Sequence, residues 1–114
     1  MNILRTARKC IRYIDTMDYI CTNPNCKSGY LVEGHHILPL KLGGKDKYIN
    51  IISLCNKCHR QDNLHENPSE AQQIELLTWK FYLEMTLFGF TSQDVEDRKF
   101  IRKANQAKHS KQVF

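Results

Sequence analysis

The spacing of apolar positions along this chain changes three times. Over residues 3–16 they fall at helical steps, Leu4, Ala7, Ile11 and Ile14, which predicts a helix with one buried stripe. Between residues 30 and 54 that period is lost. Two short apolar runs, 30–33 and 51–54, flank the glycine-bearing stretch PLKLGGKDK, which reads as two short strands joined by a loop. A short helix is expected over 58–64. Helical spacing then returns in two stripes. One holds Ile74, Leu77, Phe81, Met85 and Phe88; the other holds Leu76, Trp79, Leu83 and Leu87. Two stripes predict a helix buried more fully than an ordinary surface helix, with core packing favoured over a dimer seam. Ser69 and Gln72 form a capping box at its start, Gly89 ends it, and Thr91 with Asp94 can cap a last helix. The chain thus reads as one α+β domain. An N-terminal helix (1–20) precedes a strand–loop–strand–helix core (21–66), an apolar packing helix (67–90) and a C-terminal helix (91–114).

Composition narrows the picture. At 114 residues and 41% apolar, the chain can bury only a modest core, and chains of this size often depend on a metal or on disulfides. It contains no apolar run long enough to span a membrane. Its first residues intersperse charges among the apolar ones, unlike a secretory signal, so a reducing, cytoplasmic setting is expected. In that setting the pairs Cys21/Cys26 (CTNPNC) and Cys55/Cys58 (CNKC) read as a four-thiolate structural zinc site, with Cys10 left as a small buried hydrophobe. An odd cysteine count argues against a disulfide framework.

The net charge of +5 is uneven. Residues 98–114 hold six cations (Arg98, Lys99, Arg102, Lys103, Lys108 and Lys111) and no anion; the first 97 residues hold eleven cations against twelve anions. A basic terminal segment contacts phosphates or is simply a solvated helix face, and charge alone leaves both open.

The candidate chemistry lies between the cysteine pairs. His35 and His36 are adjacent, and neighbouring strand residues face opposite ways, so they cannot easily grip one ion from one side. Asn50 opens the second strand and His59 follows the last cysteine. A zinc closed by four cysteines has no open position, which leaves the histidines for a second, catalytic metal. Hydrolysis of a phosphodiester needs an activated water and charge stabilisation on the phosphoryl oxygens. A neutral imidazole can supply the first and a divalent ion the second.

Residues 21–64 resemble the HNH endonucleases, which have the ββα-metal fold. The resemblance rests on CTNPNC, EGHHILPLKLGG, NIISLC and CNKCHR, in this order and spacing. It implies a small metal-dependent nuclease, of the kind found in phages and mobile elements, that cuts or nicks DNA to 5′-phosphate and 3′-hydroxyl ends. It further implies that His36 is the general base, that Asn50 is the motif asparagine, and that His35 and His59 are ligands of a divalent ion such as Mg2+ or Mn2+. Some relatives, such as the colicin-type DNases, carry a further metal histidine four residues beyond the last motif histidine. Here that position is Asn63, a candidate oxygen ligand tolerable to magnesium or manganese. His65, six residues past His59, would lie on the far face of a helix, and His109 lies in the basic tail; neither is expected to take part. Duplex DNA is the expected partner, bound by Arg98, Lys99, Arg102 and Lys103, with Lys41, Lys45 and Lys47 the next candidates, and the protein is expected to act as a monomer or homodimer. The rival reading is a zinc-stabilised nucleic-acid-binding module without catalysis.

Overall fold

The computed structural model describes residues 3–26, 28–60, 64–94 and 106. In chain order these form helix α1 (Ile3–Thr16), strand β1 (Glu33–His36), strand β2 (Ile51–Leu54), the one-turn helix α2 (Asn56–His59) and helix α3 (Glu70–Phe88). The architecture is α+β: a two-stranded ribbon followed by a helix makes a ββα core, with longer helices on both sides.

β1 and β2 pair antiparallel, with His35 opposite Ile52 and His36 opposite Ile51. All four residues of β2 are buried, because the ribbon separates two cores. On one face Ile52 and Leu54 pack with Cys21, Cys55, Cys58, Leu64 and Leu76. On the other Ile51 packs with Cys10, Tyr13, Met17, Tyr48 and Leu83. Strand alternation therefore assigns Glu33 and His35 to the cysteine side and Gly34 and His36 to the α1 side. Gly34 permits this arrangement: a Cβ there would lie 2.5 Å from the Cβ of Cys10, so α1 could not approach so closely. Burial, and secondarily the charge of Asp46, pushes the Cys10 thiol up to about 11, so it packs as a neutral hydrophobe.

β1 begins three residues later than the apolar run suggested. Leu31 takes a left-handed φ of 49°, which breaks the extended backbone, and the strand then runs through both histidines. α2 is also shorter than expected, ending at His59 with Arg60 as its C-cap. In α1, Ile14 is buried but Ile11 is exposed, the inner face instead using Cys10 and Tyr13, with Met17 buried just past the helix end. Leu4 and Ala7 fall outside the described side chains.

α3 begins at the expected capping box, Ser69 with Gln72, and stops at Gly89, whose φ of 79° suits glycine. Its burial corrects the two-stripe reading. Leu76 and Leu83 are buried, with Trp79 and Leu87 packed beside them, but Ile74 and Met85 of the other stripe are exposed. The buried face includes two charged residues, Lys80 and Glu84. Lys80 donates to Glu84 Oε2 (2.8 Å), to the Tyr13 hydroxyl oxygen (2.9 Å) and to the Ile51 carbonyl (2.7 Å). Glu84 also accepts from the Tyr13 hydroxyl (2.6 Å) and from the Ser92 N–H (2.7 Å). The ion pair thus ties α3 to α1, to β2 and to the turn after α3. Thr91 and Asp94 make the expected cap contacts, while the basic helix foreseen beyond them lies outside the described residues.

Lys80→Met should lower stability by about 3–5 kcal/mol, because it leaves the Glu84 carboxylate buried without its cation. Gly34→Ala should cost about 1–3 kcal/mol by forcing α1 off the ribbon. Urea unfolding of both variants against wild type measures the two effects.

Candidate metal centre and active site

Two clusters of side chains that could hold a metal share α2, which contributes Cys58 to one and His59 to the other. In the first, the sulfurs of Cys21, Cys26, Cys55 and Cys58 all lie within 4.8 Å of one another, with Cys26 and Cys55 at 3.6 Å. Four sulfurs around a tetrahedral zinc at ~2.3 Å stand roughly 3.8 Å apart, so the donor set fits the ion. The knuckle turns on Asn23, whose Oδ1 accepts from the Asn25 N–H and whose Nδ2 reaches Cys58 Sγ. Cys55 caps α2, its sulfur accepting from the Cys58 N–H. Burial raises the Cys21 thiol to about 12. At Cys55 burial pushes the same way, but the Cys58 N–H and the neighbouring thiols together draw it down to about 7. A cation would release the remaining protons.

The second cluster is His35, His59 and His65, each offering a ring nitrogen within 4.8 Å of the others. His35 Nδ1 and His59 Nε2 are 3.2 Å apart. Two nitrogens bound to one ion at ~2.1 Å stand roughly 3.0–3.4 Å apart for 90–109° angles, so this spacing fits a shared metal. His35 is buried, and its Nε2 has no hydrogen-bond partner among the described residues. Burial, reinforced by the neighbouring imidazoles, lowers its pKa to about 3, which keeps the ring neutral and able to ligate. Glu33, on the same strand face as His35, sits 3.1 Å from His59 Nδ1. A carboxylate can only accept, so Nδ1 carries the proton and Nε2 keeps its lone pair for a cation.

His65 corrects the expectation from helical spacing. Opposite faces would require a helix continuing through residue 64, but α2 stops at His59, and residues 64–66 form a turn that brings the His65 ring to 5.0 Å from His35 and 4.5 Å from His59. Asn63 lies outside the described residues. Glu33 is marked in the sequence by one feature: it stands two residues before His35, on the same side of a strand.

His36 points to the other face. Its Nε2 lies 3.1 Å from Asp46 Oδ1. Asn50 does not touch the ring. Its Oδ1 accepts from the Leu38 N–H (2.9 Å), and its Nδ2 donates to the carbonyls of Leu38 (3.0 Å) and Lys45 (2.9 Å). It therefore ties the segment after His36 to the segment before Asp46. A cleft of about 360 Å³, lined by Gly34, His35, His36, Pro39, His59 and His65 among others, has both histidine sets in its walls.

The comparisons with known proteins agree with this geometry. Residues 16–63 match the HNH endonuclease family. Over 46 residues, 40% of this chain, the sequence is 41% identical to the Type IV methyl-directed restriction enzyme EcoKMcrA of Escherichia coli (strain K12). That stretch covers 16% of the relative's own length. No solved structure matches.

The HNH segment contains all four knuckle cysteines and His35, His36, Asn50 and His59, while His65 falls just beyond it. Of the cationic candidates, Lys45 and Lys47 are exposed on the loop beside the cleft, and Lys41 is held at 2.7 Å by Glu66 on its rim. Arg98, Lys99, Arg102 and Lys103 lie outside the described residues. No helix among the described residues is long and apolar enough to cross a membrane.

Metal analysis of the purified protein should find about one tightly held zinc per chain. Cys55→Ser should lose it and unfold, as seen by circular dichroism, because metal binding at such a site is folding free energy. A folded, zinc-free Cys55→Ser protein would contradict the structural role of the knuckle.

Proposed function

We propose that this chain is a metal-dependent endonuclease that hydrolyses phosphodiester bonds in duplex DNA. The observation that carries the reading is the division of labour at one cleft: His35, His59 and His65 converge on one wall, and His36, held apart from them, stands on another. The HNH match and the restriction-enzyme relative support nucleic acid, and DNA in particular, as the substrate.

In this reading His36 takes a proton from the attacking water, the water oxygen bonds to phosphorus, and the P–O3′ bond breaks. The products are a 5′-phosphate and a 3′-hydroxyl, the leaving oxygen taking its proton from solvent. His35, His59 and His65 would hold a divalent ion, which supplies charge stabilisation on the phosphoryl and leaving oxygens. Three imidazole nitrogens suit a transition metal such as nickel or zinc better than magnesium, which prefers oxygen ligands. Asn50 keeps the loop, and with it the surroundings of His36, in place. Glu33 orients His59. One site per chain should nick, and cutting both strands needs two chains.

Plasmid nicking with and without EDTA is the direct test. The wild type should nick with a divalent metal and stop with EDTA. His36→Ala should lose on the order of a hundredfold or more in rate while keeping fold, zinc and DNA binding. His59→Ala should also be inactive, with partial rescue by excess manganese. A folded, zinc-loaded protein that binds DNA yet never nicks would instead identify a non-catalytic binding module.

The basic segment 98–114 is proposed as a sequence-blind clamp on the phosphate backbone. Deleting it should weaken binding to all duplexes alike and flatten the log–log salt dependence by roughly two to four units, at about 0.9 per phosphate contact. Fluorescence anisotropy across a salt series measures the slope; an unchanged slope would shift the contacts to the loop lysines.

A further inference from the structure

We infer that Asp46 is a positioning residue that fixes the tautomer of His36, so that the two residues work as an acid–imidazole dyad whose halves Asn50 holds in register. The inference rests on the proposed hydrolysis with His36 as its base. His36 Nε2 and Asp46 Oδ1 are 3.1 Å apart, and the two side chains are only 13% and 16% exposed. The other carboxylate oxygen, Oδ2, is buried with no hydrogen-bond partner among the described residues. A carboxylate placed this way is costly unless a donor compensates it, and its other oxygen faces the imidazole of His36.

The geometry dictates which nitrogen does the chemistry. An ionised carboxylate has no proton to give, so the ring nitrogen facing it must be the donor. Nε2 therefore carries hydrogen, and Nδ1 is left as the basic nitrogen of the neutral ring. A base that has taken a proton from water becomes an imidazolium, and the neighbouring carboxylate stabilises that charge without itself accepting the proton.

The clamp explains how a histidine at the end of β1 and a carboxylate on the following loop hold this contact. Asn50 bonds both backbone polar groups of Leu38, two residues after His36, and the carbonyl of Lys45, the residue before Asp46. Gly44 lets the loop close: a Cβ there would meet the Leu38 carbonyl oxygen at 1.8 Å. The Ile37 N–H donates to the Asn50 carbonyl, which completes the tie next to His36. A single asparagine thus fixes the backbone beside both members of the pair, which gives it a purpose without contact to the ring.

Two measurements on the full-length, zinc-loaded protein test this. In the first, long-range 1H–15N correlation spectra of histidine-labelled protein read the His36 tautomer, the signal being assigned by its loss in His36→Ala. Wild type should show one tautomer, with the proton on Nε2, and Asp46→Asn should show a mixture or the other tautomer. In the second, plasmid nicking by Asp46→Asn should fall by about tenfold to about a hundredfold in kcat, less than for His36→Ala, with KM for DNA and zinc content unchanged. A wild-type proton on Nδ1 overturns the inference, as does an Asp46→Asn protein with the same tautomer and the same kcat. A loss seen in KM and zinc content rather than kcat also overturns it, in favour of a purely structural Asp46. Should Asp46→Asn fail to fold, the wild-type spectrum alone decides. If folded wild type shows the Nε2 proton but does not nick, the dyad stands and the proposed hydrolysis falls.

Discussion

A two-stranded ribbon with four residues in each strand is not stable by itself in water. Here it carries both histidines, so everything at the cleft depends on what clamps it. The clamp on one side is the cysteine knuckle, which ties the chain before β1 to the chain after β2 through four converging sulfurs. The clamp on the other side is α1, which presses against Gly34 with Cys10. Neither is a large apolar core. The first is a cluster of four sulfurs spaced to hold a metal, and the second is a close backbone approach that any side chain at position 34 would prevent.

With the ribbon held on both faces, the pleat does the rest. Glu33 and His35 face the sulfur side, and His36 faces the α1 side. Consecutive residues thereby enter different chemical surroundings: one joins a cluster of three imidazoles, the other meets a carboxylate. The buried Lys80–Glu84 pair extends the same support outward by tying α3 to Tyr13 and to the Ile51 carbonyl behind the strand. A buried ion pair is not in itself a source of stability, and this one is satisfied by hydrogen bonds from three elements, which favours a defined seat for α3 over a sliding one.

The site is assembled from short, local contacts. Glu33 to His59 and Asp46 to His36 are single hydrogen bonds that set a ring, and Asn50 makes two bonds to Leu38 and one to Lys45 that set a loop. The Glu33 carboxylate keeps the proton of His59 on Nδ1 and leaves its Nε2 facing His35.

The sequence by itself determined the parts that depend on near neighbours or on unmistakable donor types. The cysteine spacing gave the knuckle, the strand 51–54 and the capping box at Ser69 were read at their observed places, and the adjacent histidines implied opposite faces because a strand alternates with a period of two. Tertiary structure decided where those rules compete with folding over distance. Leu31 in a left-handed conformation moved the start of β1, the early end of α2 brought His65 inward, and the buried face of α3 took in Lys80 and Glu84 while Ile74 and Met85 stayed exposed. Asp46 entered the site for the same reason. Its partner lies ten residues away across a loop, and no local period links them; only the closure of that loop by Asn50 and Gly44 brings the carboxylate to the ring.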